Sequence, residues 1–127
     1  MQVLKSDVHF GVTAVFAADL DIDMAVKITA NKTVNKADGT GTFIGTVTAK
    51  RNANNNGTVD VIAKQHIKCK IQTAVTAGQE FKFGTLDGTT GENRIAPWVA
   101  GTDAVGLRIG VVWVGGATDA IAECFVY

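Results

Sequence analysis

The chain has 127 residues, of which 46% are hydrophobic and 19% charged, and twelve basic residues balance twelve acidic ones. This length fits one β domain spanning 1–127, and with the charge balanced nothing concentrates the basic face that nucleic-acid binders use to displace counterions, so no nucleic-acid partner is expected. Fourteen glycines and a single proline, Pro97, predict many turns and few helices, and so little charge on a small domain predicts surface covered by another chain.

The first segment, Met1–Phe10, carries apolar Val3, Leu4, Val8 and Phe10 with no turn signal joining it to a hairpin. It reads as an extended N-terminal arm that contacts another subunit or a shell, or else as an edge strand of its own barrel. The apolar run Phe10–Ala18 has the look of a signal peptide, but Asp7 offsets Lys5 and leaves no basic region ahead of it, so none is expected.

Leu20 and Ile22 alternate with Asp19, Asp21 and Asp23, which predicts a strand with three carboxylates on one face, relieved by a basic neighbour. A calcium loop is not expected there, because its sixth and twelfth positions would be Met24 and Ala30. Val26 and Ile28 continue the alternation, and Gly39 to Gly45 reads as a turn rather than a phosphate loop, since a strand follows it. In that strand Phe43, Gly45, Val47 and Ala49 share one face, with Thr46, Thr48 and Lys50 on the other. Asn54–Gly57 then predicts a hairpin turn into the strand at Val59.

Ile67–Gln72 alternates without a fault, which places Lys68 and Lys70, and Lys64 before them, on an outer face. Phe81 and Phe83 flank Lys82 in the next strand. The turn-rich stretch Gly84–Gly106 predicts a loop with short strand pieces, followed by strands at Leu107–Val114 and Ala120–Tyr127. Trp113 lies in an apolar run and is expected in the core. Trp98 lies in the loop, placed either to anchor a partner or to pack beneath its own loop. Cys69 and Cys124 sit in apolar strand patterns and read as buried free thiols, with a disulfide left open. The stretch Val105–Ile121 contains Arg108, Asp119 and four glycines, so no membrane partner is expected.

No nucleophile elbow, paired-carboxylate motif or metal-binding histidine pair occurs around His9 and His66. The expectation is therefore no enzyme, no catalytic residue, no metal and no cofactor. A faint internal repeat is also present. Met24–Ile28 reads like Gln79–Phe83, and Phe43–Val47 reads like Arg108–Val112, each followed by a turn and a closing strand. Two halves of similar strand order predict an all-β fold, a small β-barrel or sandwich of hairpins with an extended N-terminal arm.

The phrase Val75–Phe81, the loop ending Ala100–Ala104, the Ile109-Gly110-Val111-Val112 strand and the final hairpin resemble the capsid decoration, or cement, proteins of tailed bacteriophages. The resemblance implies a structural virion protein, assembled in the host cytoplasm. It would bind the outside of a shell through the major capsid protein, stabilise it without chemistry, and act as a homotrimer. Val3, Leu4, Val8, Phe10 and Trp98 are the candidate interface residues. The alternatives are another virion part, such as a tail or head-fibre piece, and a carbohydrate- or cell-surface-binding module using Trp98 and the Gly84–Gly106 loop.

Overall fold

The computed structural model describes residues 11–51, 56–61 and 66–127. The arm expected at Met1–Phe10 lies outside the described residues, as do Lys64 and the turn at Asn54 and Asn55. The fold is all-β, as expected. Its strands are β1 (Gly11–Phe16), β2 (Ala25–Ala30), β3 (Thr33–Lys36), β4 (Thr42–Arg51), β5 (Asn56–Val61), β6 (His66–Ile71), β7 (Glu80–Phe83), β8 (Arg94–Pro97), β9 (Gly110–Val114) and β10 (Ile121–Val126), with a 3-10 turn at Val105–Leu107.

The backbone gathers into two compact units, the first holding 1–37 and 41–64, the second 38–40 and 65–127. Each contains a closed five-stranded barrel, ordered β1-β3-β2-β4-β5 in the first and β6-β8-β7-β9-β10 around the second. Closure leaves no free sheet edge around most of each barrel, which suits short strands that alternate in polarity.

The two barrels repeat each other residue for residue. β1 pairs β3 in parallel through Phe16↔Val34, and β6 pairs β8 in parallel through Ile71↔Ile95. Val26 pairs with Gly45, and Phe81 pairs with Gly110. The bulges match as well. Thr48 is the extra residue between the pairs Val47↔Val59 and Ala49↔Thr58, and Trp113 is the extra residue between Cys124↔Val112 and Glu123↔Val114. A bulge bends its strand and adds twist at one place, so its recurrence shows that both barrels turn the same corner. The internal repeat legible in the sequence is thus a duplicated barrel, with Val26 equivalent to Phe81 and Gly45 to Gly110.

The first core is built from Ala14, Phe16, Leu20, Val26, Val34 and Val47. The second buries Ile71, Phe81, Phe83, Ile95, Val112 and Cys124 at equivalent or adjoining positions, with Phe81 and Phe83 edge to face at 6.2 Å. Complete burial of one such side chain stabilises its barrel by about 1.5–3 kcal/mol.

Three local expectations are corrected. Asp19–Asp23 is not a strand. Leu20 is fully buried and Ile22 is 56% exposed, while Asp23 takes φ 72° in a tight turn closed by Met24 N–H to Asp21 O. Thr46, expected on the face away from the core, is 2% exposed. Register shifts on both sides of it break the two-residue period, so Gly45, Thr46 and Val47 are buried in succession. Asn56 and Gly57 begin β5 rather than form the turn before it.

Candidate interaction site

The outer face of β6, β10 and β9 carries the largest exposed aromatic group among the described residues. Trp113, expected in the core, is 61% exposed. Val112 beside it is 2% exposed, and the bulge at Trp113 breaks the alternation, so that Trp113 and Val114 are both exposed. The all-apolar run Val111–Val114 hid this, since periodicity needs a polar residue to mark the outside. Trp113 stands 5.7 Å from Phe125, which stands 5.6 Å from His66, so three rings cross three strands in a row. Ile121, at 58% exposure, also faces out on β10, and His66 Nε2 lies 3.1 Å from Glu123 Oε1. Contiguous exposed rings of this kind make the face a candidate place for another molecule to pack.

A second group collects Trp98, Arg108, Glu80 and Tyr127. The Arg108 guanidinium lies over both rings, 5.6 Å from Trp98 and 5.4 Å from Tyr127. Its Nε is 3.3 Å from Glu80 Oε2, and the Tyr127 hydroxyl donates to that same oxygen at 2.5 Å. Accepting from Tyr127 favours the protonated phenol, so Glu80 raises the Tyr127 pKa. The Trp98 indole N–H donates to Ala104 O at 2.9 Å, and Trp98 is half-buried against its own loop. Its position in the loop was legible. Its partners come from the starts of β7 and β9 and the end of the chain, and no local pattern could link them. Val3, Leu4, Val8 and Phe10, the other candidate interface residues, lie outside the described residues.

The remaining polar chemistry holds loops. Asp87 accepts from Lys70 Nζ at 2.9 Å and from the Thr89 and Thr90 amides at 2.8 and 3.0 Å. The lysine first and then the two amides hold its carboxyl well below the usual carboxylate range. Asp103 accepts from Lys82 Nζ at 2.6 Å and from the Val99 amide, and its pKa is lowered for the same two reasons in that order. Lys50 reaches Asp19 at 3.0 Å and Asp21 at 3.4 Å and so supplies the basic neighbour expected for those carboxylates.

Cys69 and Cys124 are free and buried. Burial pushes both thiols up to about 12, which makes them poor nucleophiles at neutral pH. Among the described residues no group of three histidine, cysteine or carboxylate side chains is placed to hold a metal.

No family model and no curated protein matches the chain. Among solved structures it is similar to the N base of the head fibre protein gp8.5 of bacteriophage phi29. The TM-score is 0.60 at 9% identity, over 94% of this chain and 95% of that one. That likeness is one of fold, and it spans both barrels.

Proposed function

We propose that the protein is a structural component of a bacteriophage virion that sits on the outside of the head, as a decoration protein or the base of a head fibre. The observation that carries this reading is the fold shared with a head fibre base along almost the whole of both chains. The surface chemistry agrees with it. Polar groups such as Asp87 with Lys70 and Asp103 with Lys82 engage one another to hold loops, whereas the exposed Trp113–Phe125–His66 row offers contact area. Shell attachment requires many modest contacts repeated by symmetry, and a rigid aromatic row on a barrel wall supplies them at low entropic cost. In this reading the partner is the major capsid protein, the protein assembles as a homotrimer, and its thiols remain reduced through assembly in the host cytoplasm. Immunogold electron microscopy of intact virions tests it. Label over the outside of the head is expected, and virions without label would refute the reading.

One observation favours a second reading, carbohydrate adhesion. Trp98 and Tyr127 meet Arg108 and Glu80 at one place, which is the mixture of ring faces and paired polar groups that sugars require. Binding on a glycan array that is lost in Trp98→Ala would support it, and an array without signal would remove it.

A further inference from the structure

The two barrels differ at one seam. Pairing of β1 with β3 is confined to Val15↔Thr33 and Phe16↔Val34, and pairing of β6 with β8 to Lys70↔Arg94 and Ile71↔Ile95. Ahead of these short parallel contacts each barrel wall would stand open. In the second barrel residues 84–93, joining β7 to β8, strap across the gap. Lys70 binds Asp87, the Thr85 amide donates to Gln72 Oε1, and Arg94 Nε donates to Thr85 O. In the first barrel β2 and β3 are joined by Asn31 and Lys32 alone, and that connection supplies no such strap among the described residues.

The consequence is visible in equivalent residues. Ile67 and Phe83 of the second barrel are 4% and 3% exposed, whereas Val12 and Ile28, which occupy their places in the first, are 43% and 47% exposed. These are core positions left uncovered. They line a cleft of about 530 Å³ together with Val15, Val34 and Ile44.

We propose that the cleft of one subunit is filled by the N-terminal arm, residues 2–10, of a second copy of this chain. Leu4, Val8 and Phe10 lie at even positions, so an extended arm presents them on one face with Lys5 and Asp7 on the other. Laid along β1, such a segment buries its apolar face in the cleft and finds backbone partners on the β1 edge that β3 leaves unpaired. To enter its own cleft, the arm would have to reverse direction just ahead of Gly11. Gly11 is held in β1 by its pairing with Asp60, the three residues ahead of it, Val8, His9 and Phe10, are poor turn formers, and Asp7 is the first turn residue behind them. A chain that continues straight leaves its barrel and meets a neighbour. Each subunit then gives an arm and receives one, a head-to-tail relation that closes into a ring such as a trimer. The inference rests on the proposed self-assembly.

Disulfide trapping tests it, and the buried native thiols stay out of the way. Chains carrying Leu4→Cys or Val8→Cys are mixed with chains carrying Ile28→Cys and oxidised gently. The expected result is a covalent dimer of unlike chains on a non-reducing gel. A bond that forms only within a chain carrying both cysteines would overturn the second-copy occupant, and no bond from either position would overturn the occupied cleft. Independently, Ile28→Glu should reduce the light-scattering mass to that of one chain, while Val99→Glu, also exposed, leaves it unchanged. A trimer that survives Ile28→Glu would overturn the arm exchange alone. A wild-type chain that is monomeric at high micromolar concentration would remove the self-assembly reading with it.

Discussion

Asp23 and Gly78 occupy the same place in the two barrels. Each is third in a tight turn, at φ 72° and 88°, and each donates its amide to a core strand, to Val47 O and Val112 O respectively. The left-handed backbone is thus a requirement of the fold, met once by glycine and once by aspartate, a residue that tolerates it. An added Cβ at Gly78 meets nothing within 4 Å, so substitution there tests the backbone alone. Gly78→Ala is predicted to cost about 1 kcal/mol in urea unfolding, and Gly78→Asn less.

Gly110 presents the opposite case. A Cβ there would lie 1.9 Å from Phe125 O and 2.9 Å from Phe81 Cε1, so the Phe81 ring occupies the space a side chain would need. Neither the backbone of β10 nor a fully buried ring can move away cheaply. Gly110→Ala is predicted to destabilise by about 3 kcal/mol. Near-ultraviolet circular dichroism of the aromatic residues should show the second barrel loosened, and an unchanged unfolding midpoint would refute the packing.

Acid should loosen the strap and the loop beyond β8. Asp87 and Asp103 have folded pKa values lowered by Lys70 and Lys82 and by backbone amides. Groups of this kind contribute stability that is fully present above the unfolded value of about 3.9 and is lost as pH falls through the folded value. Lys70 is raised by Asp87, so its contribution is full below its ordinary value and lost only in strong alkali. Amide hydrogen exchange at Thr89 and Thr90 is predicted to be slow at pH 6 and to stay slow through the ordinary carboxylate range near about pH 4, losing protection only as pH falls through the lowered folded value of Asp87. Asp87→Asn should remove that dependence, and protection already lost at about pH 4 would contradict the assignment.

The parts of this fold that the sequence made legible are those where polarity marks a face. His66–Ile71 alternates, and its burial alternates with it. Val26 with Phe81 and Gly45 with Gly110 carried the repeat through to the observed register. Val111–Val114 offered no polar marker, so the outward turn of Trp113 went unseen. Asp19–Asp23 has the period of a strand but the backbone of a turn, because Asp23 needs a left-handed conformation that a periodicity count does not register. The cleft was illegible for another reason. It arises from unequal connections, residues 31–32 against 84–93, and unequal connections have meaning only once the flanking residues are known to be equivalent.

The proposed attachment of this protein to a phage head through exposed apolar surface is tested most directly by sedimentation with assembled shells. Wild-type protein is predicted to pellet with shells and to raise their temperature of disruption. Trp113→Ser should remain in the supernatant with its own melting temperature unchanged, since Trp113 is 61% exposed and contributes little to the barrel core. Wild-type protein that stays in the supernatant at saturating shell concentration would contradict the claim.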